Sequence, residues 1–341
     1  MQLLKRKSII FAVLILVPIV IFFVSLGIGR YTIPLDRSCK ILFSQIFDIQ
    51  QTWEDVEKTV IINLRLPRIL LALLIGAGLS VSGASFQGMF RNPLVSPHIL
   101  GVSSGAGFGG VIAMILFKNS SLVFISAFCF GLLSILIAFF FSKTKRKITT
   151  LSLVLSGVIV SAFFTSLISL VKFVADPVDE LPSIVFWLMG SFSGASYEKV
   201  KLIAIPMIGC ITILFLLRWR INILSLGEDD VKALGLNPNT LRWLVILPVT
   251  VIVSLSVSVS GMIGWVGLAI PHICRMIVGN DHRILIPCSI SVGAVYMMLM
   301  DDLARSLTAA EIPLGVLTAL IGIIIFGFLL KRTRGGGLFE S

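Results

Sequence analysis

The chain has 341 residues, 57% of them hydrophobic and only 13% charged, with a mean hydropathy of +1.04, a balance that excludes a water-soluble fold of this size. The formal net charge of +11 would suit nucleic acid if the basic residues formed a patch, but the clusters at 143–147, 218–220 and 331–334 flank apolar runs. They answer to topology and anionic lipid, which argues against a nucleic-acid partner and predicts an all-α polytopic membrane protein with one transmembrane domain over residues 1–341.

A spanning helix needs about 20 mostly apolar residues. Ten windows qualify, near 9–28, 69–88, 93–117, 121–142, 148–171, 202–217, 243–262, 263–279, 284–303 and 312–330. The first follows Lys5, Arg6 and Lys7 as a signal peptide would, but it is too long and has no small-x-small cleavage site, so it reads as an uncleaved span. Within the third window Gly101, Gly105 and Gly109 recur every four residues, the spacing that lets helix backbones approach closely in lipid. Two motif matches there carry no chemistry. Gly105-Ala-Gly107-Phe-Gly-Gly110 fits a dinucleotide fingerprint but has no βαβ context, and Gly101-Val-Ser103-Ser-Gly105 fits a nucleophile elbow without strand-turn-helix context. The stretch from Ile184 to Phe192 is apolar but too short to cross, and reads as a re-entrant or interfacial helix. Five cysteines and three histidines are scattered without ligand spacing, so neither a cofactor nor a metal site nor a disulfide framework is predicted.

Between the sixth and seventh windows, SLGEDDVKALGLNPNT at 225–240 reads as a short water-soluble helix. Ser225 and Glu228 have capping-box spacing, three acids sit at the positive end, and Gly235 with Pro238 beyond would stop it. Val231 and Leu234 lie three apart, on one face. Alone, such a segment fits an ordered loop as well as a contact surface.

Orientation follows from the distribution of Lys and Arg. With the N-terminus inside, 17 of the 28 basic residues fall inside and 11 outside, while the acids divide 5 and 12. Both termini and the 225–236 helix are then cytoplasmic. Windows two to five and seven to ten form two four-helix sets that start from opposite sides, which suggests an inverted repeat. The span interiors carry almost no carboxylate, so a proton relay is missing and the driving energy should come from a partner. Charges gather instead at the outer mouth: Arg65 and Arg68 at the second span, and Asp301, Asp302, Arg305 and Glu311 between the ninth and tenth. Interfacial anchoring with internal ion pairing is one reading of them; a docking surface for an acidic partner is the other.

Arg65-Leu-Pro-Arg68, SGASFQGMFRNPLVSPHILGVSSGAG at 82–107, Trp187-Leu-Met-Gly190, SGMIGWVGLAIPHICRMIVGNDHR at 260–283, DDLAR at 301–305 and EIPLGVLTALIG at 311–322 resemble the membrane subunits of the ABC importers for iron-siderophores, haem and vitamin B12. The resemblance covers about residues 60–330, in consistent order. It implies a homodimeric permease of a type II importer in the cell inner membrane, joined to two cytoplasmic ABC ATPase subunits and served by one extracytoplasmic substrate-binding protein. This chain would do no catalysis itself. The helix between spans six and seven would couple to the ATPase through Leu226, Gly227, Glu228, Asp229, Val231, Ala233, Leu234 and Gly235. By motif position, Arg65, Arg68 and Arg305 would meet glutamates of the binding protein. Thr149 and Thr150 would form the cytoplasmic gate, and Ser156, Gly157 and Ser161 of span five would line the path. One departure is visible: Ile323-Ile324 stand where the family has Ala-Pro, so a kink in the last span is not expected. Frequency within the family points to a ferric siderophore as cargo, with haem, cobalamin and molybdate as alternatives. The rival function classes are an ion-coupled secondary carrier, which would transport without an ATPase, and a membrane-embedded enzyme, which would need a buried catalytic constellation.

Overall fold

The computed structural model describes residues 2–143 and 150–333, and all the regular structure among them is helical. In chain order come α1 (Gln2–Gly27), α2 (Leu35–Phe43), α3 (Asp55–Thr59), α4 (Leu66–Phe90), α5 (Val102–Phe117), α6 (Ser120–Ser142), α7 (Thr150–Val174), α8 (Glu180–Leu188), α9 (Tyr197–Leu216), α10 (Arg218–Leu224), α11 (Glu228–Ala233), α12 (Pro238–Ser260), α13 (Val266–Val278), α14 (His282–Ser306) and α15 (Leu314–Thr333). Six segments are long and apolar enough to cross a membrane: Asp55–Phe90, Ser120–Ser142, Thr150–Val174, Tyr197–Leu216, Pro238–Ser260 and His282–Ser306. Four shorter apolar helices, Ala12–Gly27, Val102–Phe117, Val266–Val278 and Leu314–Phe328, occupy the other four predicted windows. The short apolar stretch from Ile184 to Phe192 is helical only as far as Leu188, and α8 starts four residues earlier, at Glu180.

Two windows begin later than hydropathy predicts. The third starts at Val102 rather than 93, because residues 91–101 fold back as a loop: Asn92 Oδ1 accepts from the Leu94 amide at 2.9 Å, Pro97–Leu100 make one 3-10 turn, and Gly101 takes φ +78°. The eighth starts at Val266 after Gly261 (φ +70°) and Trp265 (φ +67°). A left-handed tryptophan is costly, and the surrounding packing holds it there. Its side chain lies over Gly322 of α15, where a Cβ would come within 2.9 Å of the Trp265 Cβ.

Burial ranks the helices. In the most apolar stretch of Asp55–Phe90, 89% of residues are buried, against 17% for α9, so α4 is the central post and α9 faces outward. Small residues set the crossings. A Cβ on Gly83 would stand 1.8 Å from the Gly267 carbonyl oxygen, and one on Gly76 2.3 Å from that of Gly293; α4 thus meets α13 and α14 backbone to backbone. Gly105 and Gly109 do the same against α6, as their spacing predicts. The contacts also pair off by halves: α4 crosses α14 as α12 crosses α6, α4 meets α13 as α12 meets α5, and α5–α6 corresponds to α13–α14. This is the pattern expected of an inverted four-helix repeat. The last helix, α15, has no internal proline, and Ile323 and Ile324 are exposed on it.

Candidate functional site

The charged groups collect at the two ends of the bundle, joined by α4 and α14. At one end, a six-residue π-helical segment, Val60–Arg65, delivers Arg65 just before α4, and Arg68 follows in its first turn. The last turns of α14 present Asp301, Asp302 and Arg305 beside them, and Glu311 follows α14 in sequence. Arg68 Nε donates to Asp301 Oδ1 at 2.6 Å and its Nη1 to Glu311 Oε1 at 2.8 Å. Arg305 pairs with Asp302, lies 3.7 Å from Asp301, and donates to the Ser25 carbonyl at 2.6 Å. Ser25 Oγ in turn donates to Asp302 Oδ2 at 2.6 Å. Arg65 donates to the Leu26 carbonyl at 2.6 Å and also to that of Tyr31.

The structure therefore brings Arg65, Arg68 and Arg305 together, but as buried side chains committed to partners in the same chain. A free rim of arginines is not what the fold presents. A cavity of about 280 Å³, lined in part by Arg30, Arg65, Arg68, Arg305 and Glu311, opens beside the network. Arg30, at its mouth, is exposed. The first 60 residues, which lie outside the stretch that carries the family resemblance, supply the carbonyls that accept from Arg65 and Arg305 and the hydroxyl that donates to Asp302. Nothing in the local sequence around 25–31 announces that role.

At the opposite end, α9 turns into α10 and then α11. Ser225 does not cap α11: it closes α10, its Oγ donating to the Asn222 carbonyl at 2.7 Å. The N-cap is Gly227 at φ +150°, and Glu228 is turned to Arg242 of α12 instead of back to a cap. The C-terminus follows expectation. Leu236 N–H reaches the Val231 carbonyl at 3.1 Å and Gly235 N–H that of Lys232 at 2.9 Å, with Gly235 at φ +73°, a Schellman stop.

The predicted shared face of Val231 and Leu234 divides. Val231 is fully buried, whereas Leu234 is 59% exposed and Leu226 62%. Leu234 is the C-cap, and three steps at 3.6 residues per turn leave its side chain roughly 60° around the axis from that of Val231. Val231 anchors the turn to the body, while Leu226, Asp229, Ala233, Leu234 and Gly235 stand outward. The Arg242 hydrogen bond holds the Glu228 carboxyl below its ordinary range. Arg242 also donates to Thr150 Oγ1 at 3.1 Å, joining α11, α12 and the start of α7. Asn222 Oδ1 accepts the His282 amide at 3.2 Å and lies 3.1 Å from His282 Nδ1, so α10 is pinned to the first turn of α14.

Of the predicted path residues, Thr149 lies outside the described residues. Ser156 is buried and donates to its own helix at the Ser152 carbonyl, 2.8 Å away. Gly157 packs on the 3-10 turn, where a Cβ would come within 2.3 Å of the Ile99 carbonyl oxygen. Ser161 Oγ is 2.9 Å from Ser104 Oγ of α5. This face of α7 is thus packed within the chain. The polar side chains that α7 leaves uncovered are Thr165, Ser166 and Ser169, which pattern reading missed because they alternate with large apolar neighbours.

The FecCD transport family model matches residues 15–332. The chain belongs to the FecCD transport family. Among relatives, it is 46% identical to the molybdate import system permease protein MolB of Haemophilus influenzae, over 93% of this chain and 94% of that one. It is 43% identical to a "probable iron chelatin transport system permease protein" of Helicobacter pylori over 81% and 83%, and 35% identical to the vitamin B12 import system permease protein BtuC of Vibrio cholerae over 83% and 86%. A solved structure described as an inward-facing conformation of a metal-chelate type ABC transporter superposes with a TM-score of 0.85 at 45% identity, covering 96% of this chain and 99% of that one. The FecCD chains are permease subunits, not catalytic ones. The present chain is accordingly a multi-pass membrane permease of a type II ABC importer.

Proposed function

We propose that two copies of this chain enclose the pathway of an importer whose ATP hydrolysis resides in two cytoplasmic ATPase subunits seated on the α11 end, with an extracytoplasmic binding protein delivering cargo to the arginine end. The observation that carries the reading is α11 itself: a solvated six-residue helix anchored by Val231 and presenting Leu226 and Leu234. Exposed leucines on a solvated turn fit an apolar cleft of a partner. The excess of basic residues on this side supports a cytoplasmic placement. In this reading Glu228, Arg242 and Thr150 relay movement of the loop to α7 and α12, and the exposed Thr165, Ser166 and Ser169 face the path between the two copies. Arg65, Arg68 and Arg305 act chiefly as the frame of the docking mouth, with Arg30 as the exposed cation that a binding-protein carboxylate reaches first.

The cargo is a metal-containing solute. The 46% identity to a molybdate permease over 93% of the chain favours molybdate; a ferric chelate is the second reading, supported by the iron chelatin relative. Reconstitution of the complex in proteoliposomes, with uptake of labelled molybdate and of ferric siderophore measured with and without ATP, tests both. Uptake by this chain without an ATPase would overturn the proposal in favour of an ion-coupled carrier.

A further inference from the structure

At the α11 end, where α9 runs into α10 and α14 begins, a cleft of about 560 Å³ opens, lined by Leu216, Arg218, Trp219, Arg283, Ile284 and Pro287 among others. It lies at the foot of α9, the least buried of the six long spans. Ile205 (82% exposed), Ile208, Ile213 and Leu216 (68%) run down that side of α9, largely uncovered by the rest of the chain, an apolar stripe of the kind that faces acyl chains. At the cleft the chemistry changes from aliphatic to aromatic and cationic. The Trp219 side chain is exposed, and an exposed indole next to an apolar stripe marks the membrane–water interface.

Its cations are held in place. The Arg218 guanidinium lies 4.1 Å over the Phe215 ring and donates to the Phe215 carbonyl at 2.8 Å. That of Arg283 lies 4.9 Å from the Trp219 ring centroid and is gripped by Asp281 at 2.6 Å. Asp281 satisfies one of the two charges; among the described residues no carboxylate lies within ion-pair reach of Arg218. The cleft therefore combines a net cationic mouth, an aromatic belt residue and an apolar wall continuous with the bilayer-facing stripe. We propose that it is a binding site for an anionic glycerophospholipid, the phosphate taken by Arg218 and Arg283 and an acyl chain laid against Leu216, Ile284 and Pro287. The inference rests on the reading that this end meets the cytoplasmic leaflet. A lipid there would bridge α9, α10 and α14 beside the Asn222–His282 contact.

The test is lipid binding to the purified, delipidated full chain, followed by native mass spectrometry and by thermal shift. Phosphatidylglycerol should bind saturably and roughly tenfold or more tighter than phosphatidylcholine, because basic residues near the surface favour an anionic headgroup. Glycerol phosphate, which has the charge but no chains, should neither bind nor stabilise at the same concentration. Arg218→Gln with Arg283→Gln should erase the preference, and Lys at both positions should keep most of it. Equal binding of the two lipids to the unaltered chain would overturn the proposal without recourse to any variant. So would a preference that survives the double Gln change, and binding of glycerol phosphate as tight as that of phosphatidylglycerol would make this a soluble-anion site. None of these outcomes bears on ATP-driven uptake, which tests the transport reading separately.

Discussion

Arg68 and Asp301 meet at 2.6 Å across 233 residues of sequence, both buried, at the point where α4 starts and α14 ends. The pair closes one end of a two-helix frame whose other end carries the Asn222–His282 contact. At about 1.5 Å rise per residue, the stretch of α14 from His282 to Asp301 holds these two contacts roughly 29 Å apart. In the proposed reading this strut joins the docking mouth to the coupling loop, so that a local change at either end would be passed on rather than absorbed.

Breaking the pair should be costly. A buried ion left without its partner loses about 3–5 kcal/mol, whereas replacing both charges by apolar groups is often near neutral. Asp301→Leu alone should lower the unfolding temperature sharply in detergent, and Arg68→Met with Asp301→Leu should recover much of the loss, though Glu311 is then left with one cation fewer. Equal destabilisation by the single and double variants would count against the pair as the source of stability.

Docking should depend on the exposed cation more than on the buried ones. Arg30→Glu is expected to weaken association with the binding protein by no more than about 1 kcal/mol, an effect that fades as salt rises, with the fold intact. Glu at Arg65, Arg68 or Arg305 should instead lower the yield of folded protein. Titrations of the binding protein at low and high ionic strength, alongside unfolding curves, separate the two effects.

The α10–α14 contact should matter for coupling and not for docking. Asn222→Ala leaves the His282 amide and ring without their acceptor, a loss of about 1–3 kcal/mol. The expected result is ATP hydrolysis that continues with reduced uptake per ATP, and binding-protein affinity unchanged. Unaltered stoichiometry in proteoliposomes would remove this contact from the relay.

Acid should loosen α11. The Arg242 hydrogen bond depresses the Glu228 carboxyl, so the contribution of this tie is fully present above the unfolded carboxylate range and disappears as pH falls through the depressed folded value. The protection factors of amides 228–236, taken relative to the intrinsic exchange rate at each pH, should therefore fall at the acid end of the range. In Glu228→Gln they should be lower at neutral pH and nearly independent of pH.

Apolar runs made the helices of all ten windows legible in sequence, six of them long enough to cross a membrane, since chain in hydrocarbon must satisfy its own backbone as helix. The late starts of α5 and α13 were not legible. Hydropathy does not register a loop that folds back under cover of protein, and the left-handed Trp265 is imposed by its neighbours. Arg65, Arg68 and Arg305 were found as functional candidates from their motifs, but their burial was not, because Asp301, Ser25 and the Leu26 carbonyl reach them only through the tertiary fold. The loop helix was legible for the opposite reason. A polar segment with a Gly stop is locally encoded, so its end was predicted correctly at Gly235, while its start failed where α10, invisible in the hydropathy pattern, had already taken Ser225.

If the outward face of α11 meets the ATPase, photo-crosslinking groups placed singly at Leu226, Val231 and Leu234 in the assembled complex will distinguish its two faces. ATP-dependent crosslinks to the ATPase are expected from positions 226 and 234 and none from 231, whose side chain lies inside this chain. Crosslinks from 231 alone, or from none of the three in a complex that still transports, would contradict this placement.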